Sequence, residues 1–318
     1  VERSRGLGDV YKRQLKGHAN AQIDPFGISS PEYGSIMPVV ESFGFQYNPN
    51  IAHKTMQNVL FSAGAKIMDG KWFYKGSPII VRILIRSDDV SRKSMGEMIS
   101  SELEKSGFVV QRDYGDLNKA NDIVYGTDPQ DLKWQIYTEA FGGTSAFVRY
   151  NPVVPSQMYA PYFGKMPGWQ NPSFWNYQNK SLDELSQRIE FSNFTSIPDR
   201  NRLLPKSVKE GIEESVRLFV AQTVDPYVAS SSVNGLINDY GAGIPSRISL
   251  INARSDRGDD INVGVKEIYQ GAWNGVAGCG DIYCVNILSL ISDPPTSRNP
   301  YTGEVIPLRT LSLIHISE

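Results

Sequence analysis

The sequence predicts an α/β protein, and three observations carry that prediction. First, Ile79–Ile85 (IIVRILI) is apolar, dense in β-branched residues and far too short to cross a bilayer, so it reads as a buried strand. Second, Ser87, Asp88 and Asp89 follow as helix-start residues, Met95, Met98, Ile99 and Leu103 recur at helical spacing, and Gly107 closes the helix. Third, Phe108–Val110 begins a second strand and Trp134–Tyr137 a third. Strand, helix, strand is a parallel βαβ unit, and sheets of that kind take ligands beyond the carboxyl ends of their strands. Those ends carry Arg86-Ser87-Asp88-Asp89 and Thr138-Glu139-Ala140-Phe141-Gly142-Gly143. Small, polar and aromatic groups meet there, without a nucleophile–base pair.

The other elements follow along the chain. Leu15–Tyr47 is rich in Gly, Pro and Ser and reads as connection rather than core. Pro49–Ala63 is a helix with Ile51, Met56, Val59, Leu60 and Ala63 on one face, Asn48 as cap and Gly64 as stop. Asp69-Gly70 signals a hairpin leading through Trp72-Phe73-Tyr74 to the Ile79 strand. Gly115-Asp116-Leu117-Asn118 reads as a turn opening a short helix, and Val148–Asn179 as a long surface excursion. Leu182, Leu185 and Ile189 mark one helix; Val208, Ile212, Val216 and Phe219 mark a longer one. Ile261, Val263 and Val265 alternate as a strand, Asp281–Ile291 is helix-like, and Asn299-Pro300-Tyr301-Thr302-Gly303 is a turn.

Composition sets the frame. The chain has 318 residues, 40% hydrophobic, with a formal charge of −2. That suits a folded core and leaves no electrostatic footprint for nucleic acid or an acidic membrane. The ends read as foreign. Residues 7–14 (LGDVYKRQ) and 311–318 (LSLIHISE) can be back-translated into reverse complements of one another, as a transposon-based sequencing adapter read in frame would be. Residues 1–14 and 311–318 are therefore set apart from the fold, and 15–310 is expected to be a fragment.

The order of motifs resembles a known family. Tyr47-Asn48-Pro49-Asn50-Ile51-Ala52-His53-Lys54, Asp69-Gly70-Lys71-Trp72, Gly76-Ser77-Pro78 and Met95-Gly96-Glu97 are similar to motifs of family 5 substrate-binding proteins of ABC transporters, the peptide/nickel class. Glu102-Leu103-Glu104-Lys105-Ser106-Gly107-Phe108, Gly115-Asp116-Leu117-Asn118-Lys119, Asn176-Tyr177-Gln178-Asn179 with Leu182-Asp183-Glu184-Leu185, and Val233-Asn234-Gly235-Leu236 continue the series in order. The resemblance implies a type II periplasmic-binding-protein-like lobe, a mixed sheet with flanking helices, in an incomplete two-lobed extracytoplasmic receptor. It implies a peptide or similar small solute, ABC permease subunits as partners, and no catalytic residues; no cofactor is expected. Residues 15–215 would be the ligand-closing second lobe, and 216–310 the return to the first lobe with a first-lobe-like segment. A carbohydrate-binding or sensory module on the same fold is the alternative, with a cleft hydrolase behind it.

Candidate ligand residues follow from the strand ends. Gly142-Gly143-Thr144-Ser145 would offer backbone N–H groups to a peptide main chain or carboxylate, or form an ordinary tight turn. Trp134 and Tyr137 precede it. Glu139 lies one residue from Ala140, where the resemblance implies an Asp that meets a ligand amine. Arg86 would fork a carboxylate, while Asp88 and Asp89 are expected to cap the helix. Tyr159, Tyr162, Phe163, Trp169, Phe174, Trp175 and Tyr177 would form either a stacking wall or a satellite core. Cys279 and Cys284, four residues between them, are a buried free pair or, in a secreted protein, a disulfide. His18 and His53 are far apart in sequence, so no metal site is legible. Gly275, Gly278 and Gly280 lack the dinucleotide-binding order.

Overall fold

The computed structural model describes residues 18–28, 30–141, 153–162, 166–167, 171–175, 177–223, 226–258, 260–265 and 282–309. The chain divides into two compact units, residues 1–140 with 152–224, and residues 141–151 with 225–318.

The first unit opens with β1 (Ala19–Ala21), α1 (Tyr33–Ser42) and α2 (Pro49–Ser62). Next come β2 (Lys66–Met68), β3 (Lys71–Tyr74), β4 (Ser77–Pro78) and β5 (Ile80–Arg86). Then follow α3 (Val90–Lys105), β6 (Val109–Gly115), α4 (Leu117–Val124) and β7 (Ile136–Tyr137). The unit closes with α5 (Val154–Tyr159), α6 (Lys180–Glu190), α7 (Ile197–Glu214) and β8 (Ala221–Thr223). The second unit contains β9 (Val233–Asn234), α8 (Arg247–Asn252), β10 (Arg254–Ser255), α9 (Ile282–Ile291), β11 (Thr296–Arg298) and β12 (Val305–Pro307). Its strands pair antiparallel, β9 with β10 and β11 with β12. Asn299–Gly303 makes the turn between the last two, closed by Gly303 N donating to Asn299 O at 2.8 Å.

The predicted parallel unit is present. The sheet runs β6-β5-β7, with β5 parallel to both neighbours and Ile83 opposite Arg112 on one side and Ile136 on the other. Alternation places Ile83 and Ile85 on one face and Leu84 on the other, and all three are buried. A β-carbon on Gly96 would stand 2.8 Å from Ile85, so glycine lets α3 lie close on β5. Leu84 packs with Ala120 and Val124 of α4. Caps fall where short polar side chains precede apolar periodicity: Asn48 accepts from Ile51 N, Asp89 from Arg92 N, Asp116 from Lys119 N and Asn179 from Leu182 N. Asp69 and Gly70 both adopt positive φ between β2 and β3, the left-handed pair a two-residue hairpin requires. Trp72 is buried beyond that turn, and its Nε1 donates to Ser106 O at 2.9 Å, which anchors the hairpin to the end of α3.

Five expectations are corrected. Leu15–Tyr47 is not mere connection: β1 pairs with β8, α1 forms over Tyr33–Ser42, and Phe26 and Ile36 enter the largest apolar cluster. Val148–Asn179 is not all surface, because α5 buries Val154, Met158 and Tyr159 in that same cluster. The helix carrying Val208 and Ile212 ends at Glu214, since Ser215 turns left-handed at φ +55°, so Val216 and Phe219 lie outside it. Ile261–Val265 has no strand among the described residues, and Val263 and Val265 are exposed. The α2 face is also split: Met56 and Leu60 pack inward, whereas Ile51 and Val59 are exposed.

The large cluster joins α1, α5, α6 and α7 around Leu182, Ile189, Leu204, Val208 and Ile212. Gly211 admits the Tyr159 ring, because a β-carbon there would fall 2.2 Å from Cε2. Gly211→Ala is therefore expected to destabilise by about 1–3 kcal/mol through overpacking, partly offset by about 1 kcal/mol of helix propensity. An unchanged urea midpoint would show that Tyr159 moves aside at no cost.

Candidate functional site

The carboxyl ends of β5 and β7 bring Arg86 and Tyr137 together. Arg86 ends a strand buried on both faces, and its side chain is 1% exposed. It forks onto Asp88, with Nε to Oδ1 and Nη2 to Oδ2 both at 2.7 Å, and the Tyr137 side chain adds to the stabilisation of its charge. Burial works against its charge, but Asp88, with Tyr137 beside it, outweighs burial and holds the guanidinium protonated more firmly than usual. The Arg86 bond keeps the Asp88 carboxyl below its ordinary range. Burial raises the Tyr137 hydroxyl, with Arg86 opposing the shift. Asp89, the neighbouring residue, caps α3. Thr138 Oγ1 accepts from Arg86 N at 3.0 Å, which stitches the two strand ends.

Glu139 has partners of its own. Its side chain is 30% exposed; Oε1 accepts from the Tyr125 hydroxyl at 2.7 Å, and Oε2 is paired with the Arg217 guanidinium. Burial, then Glu139, raises the Tyr125 hydroxyl strongly. Arg217 also donates to Met166 Sδ at 3.8 Å. Tyr125 and Arg217 were not anticipated: Arg217 lies 78 residues from Glu139, and no local pattern links them. Trp134 and Tyr137 are half-buried against the Leu84, Ala120 and Val124 cluster. Trp134 Nε1 is buried and has no hydrogen-bond acceptor among the described residues. Gly142, Gly143, Thr144 and Ser145 lie outside the described residues.

The aromatic-rich segment divides. Tyr159 is core, edge-to-face with Phe219 at 6.3 Å. Tyr162 tilts on Trp175 at 5.8 Å and donates to Asp183 O, and burial raises its hydroxyl to about 12. Phe174 and Tyr177 are half-buried, and Phe163 and Trp169 lie outside the described residues. Cys284 is disulfide-bonded; the chain's other cysteine, Cys279, lies outside the described residues. Among the described residues no three His, Cys, Asp or Glu side chains gather to hold a metal, and no helix is long and apolar enough to cross a membrane.

A parallel βαβ sheet with polar and aromatic groups at its strand ends, flanked by helices, is the mixed α/β fold of periplasmic binding proteins, and solved structures match it. NikZ from Campylobacter jejuni, solved with Ni(L-His), is similar at TM-score 0.53 and 16% identity over 76% of this chain and 45% of its own. The periplasmic oligopeptide-binding protein of an oligopeptide ABC transporter from Thermotoga maritima, solved with mannohexaose, matches at 0.58 and 16% over 80% and 49%. The oligopeptide-binding protein AppA from Bacillus subtilis, solved with a nonapeptide, matches at 0.54 and 13% over 74% and 42%. The chain thus spans less than half the length of each of these proteins. No protein-family model and no curated protein matches the sequence. At these identities the likeness establishes the fold.

Proposed function

We propose that this chain belongs to an extracytoplasmic solute-binding receptor of an ABC importer, which encloses a peptide or similar small solute and delivers it to permease subunits. The observation that carries the proposal is the strand-end cluster of Arg86, Asp88, Tyr125, Tyr137, Glu139 and Arg217, on a fold shared with solute-binding proteins. In this reading residues 15–215 are the ligand-closing lobe and 216–310 the return to the first. The Cys284 disulfide supports an oxidising compartment outside the cytoplasm. The receptor performs no catalysis. A carbohydrate ligand is the second reading, favoured by the mannohexaose in the Thermotoga neighbour.

Mass spectrometry of small molecules released on denaturing the complete gene product tests the proposal. A retained solute at near-stoichiometric yield is expected. Turnover of peptides or glycosides by the purified protein, with no solute retained, would overturn it.

A further inference from the structure

All four carboxylates that the described residues place just beyond β5, β6 and β7 are engaged by the chain itself. Asp88 holds Arg86 bidentate and accepts from Leu117 N at 3.2 Å. Asp89 accepts from Arg92 N at 2.9 Å and meets the Arg92 guanidinium at 3.4 Å. Asp116 caps α4 through Lys119 N at 2.9 Å, at the positive end of that helix. Glu139 takes the Tyr125 hydroxyl on one oxygen and Arg217 on the other. Three carboxylates are therefore matched by three guanidiniums, and the fourth by a helix terminus.

Resting on the receptor reading above, we infer that this strand-end floor is charge-compensated from within and receives an uncharged, hydroxyl- or amide-rich part of the solute rather than a free ammonium. An ammonium binding Glu139 would compete with Arg217 and separate a largely buried guanidinium from its carboxylate. Breaking a buried pair in that way costs more than the exchanged contact returns. A solute carboxylate at Arg86 would have to displace Asp88 from a bidentate pair whose guanidinium is buried. What the floor has to offer beyond these pairs is neutral: the hydroxyl oxygens and half-buried rings of Tyr125 and Tyr137. Aromatic faces with a few donors suit sugar hydroxyls and backbone amides alike.

The test uses the complete gene product, unfolded and refolded to strip bound solute, in calorimetric titrations with three probes. These are a pool of short peptides with free amino termini, the same pool N-acetylated, and mannohexaose. Expected is either a less than about fivefold loss of peptide affinity on acetylation, which assigns the amide source, or binding of mannohexaose alone, which assigns the hydroxyl source. A loss of about fivefold or more on acetylation overturns the inference and leaves the receptor reading standing. Binding of none of the three overturns both. Arg217→Gln supplies an independent arm: with Glu139 uncovered, the free-amine pool should gain affinity over the acetylated pool by about fivefold or more. A folded Arg217→Gln protein without that gain also overturns the inference, and thermal unfolding reports whether it is folded.

Discussion

Truncating Ile83 to alanine is expected to lower the stability of the first unit by about 2–5 kcal/mol. Ile83 is 0% exposed at the middle of β5, between Arg112 of β6 and Ile136 of β7. Its side chain stands on the same face as Ile85, against which α3 is pressed at Gly96. A central strand hydrogen-bonded on both sides has little freedom to collapse into the space left behind, so the cavity term adds to the lost transfer energy. Ile83→Val should cost only about 0.5–1.5 kcal/mol. Urea unfolding measures both, and a wild-type midpoint for Ile83→Ala would remove Ile83 from the core.

The second large effect depends on pH. Asp24 is 1% exposed, and burial raises its carboxyl to about 6 against the backbone N–H of Phe26, which lowers it. The folded chain thus keeps a proton that the unfolded chain releases near the ordinary value of 3.8. Asp24 therefore destabilises the fold progressively as pH rises from about 4 to about 6, with a constant penalty above that of about 3 kcal/mol. Asp24→Asn keeps an acceptor for Phe26 N and carries no charge. The variant should match wild type at pH 3.5 and exceed it by about 3 kcal/mol at pH 7.5. Equal denaturant midpoints at pH 7.5 would refute the buried-acid account.

How much of this was legible in the sequence depended on how local the cause was. The β5 strand and α3 were readable because β-branched density, a capping Asp and a closing Gly lie within thirty residues of one another. The Asp69-Gly70 turn was readable because a two-residue hairpin needs left-handed residues. The companion turn at Lys75-Gly76, positive in φ at both residues, was hidden because lysine gives no such signal. Helix α5 was hidden by Pro155, which reads as a breaker but sits in the first turn, where no N–H is needed. Phe26 and Ile36 were unreadable as core because the residues they pack on come more than a hundred positions later. The site divided in the same way. Arg86, Asp88 and Asp89 are contiguous and were found, although Arg86 is committed to Asp88. Glu139 was found without its partners, because Tyr125 and Arg217 reach it only through the fold.

The pairing of β1 with β8 has a consequence for time. Ala19 lies opposite Thr223, so the first strand of the unit has no partner until the last has been made. At about 5–20 residues per second, that interval is roughly 10–40 s of synthesis. Throughout it Phe26 and Ile36 are without the α7 side chains that later cover them. The parallel sheet is complete at Tyr137 and can form earlier, since its contacts span far fewer residues. The nascent chain is therefore expected to carry a finished sheet beside an open, apolar amino-terminal arm, which is the form a chaperone would hold.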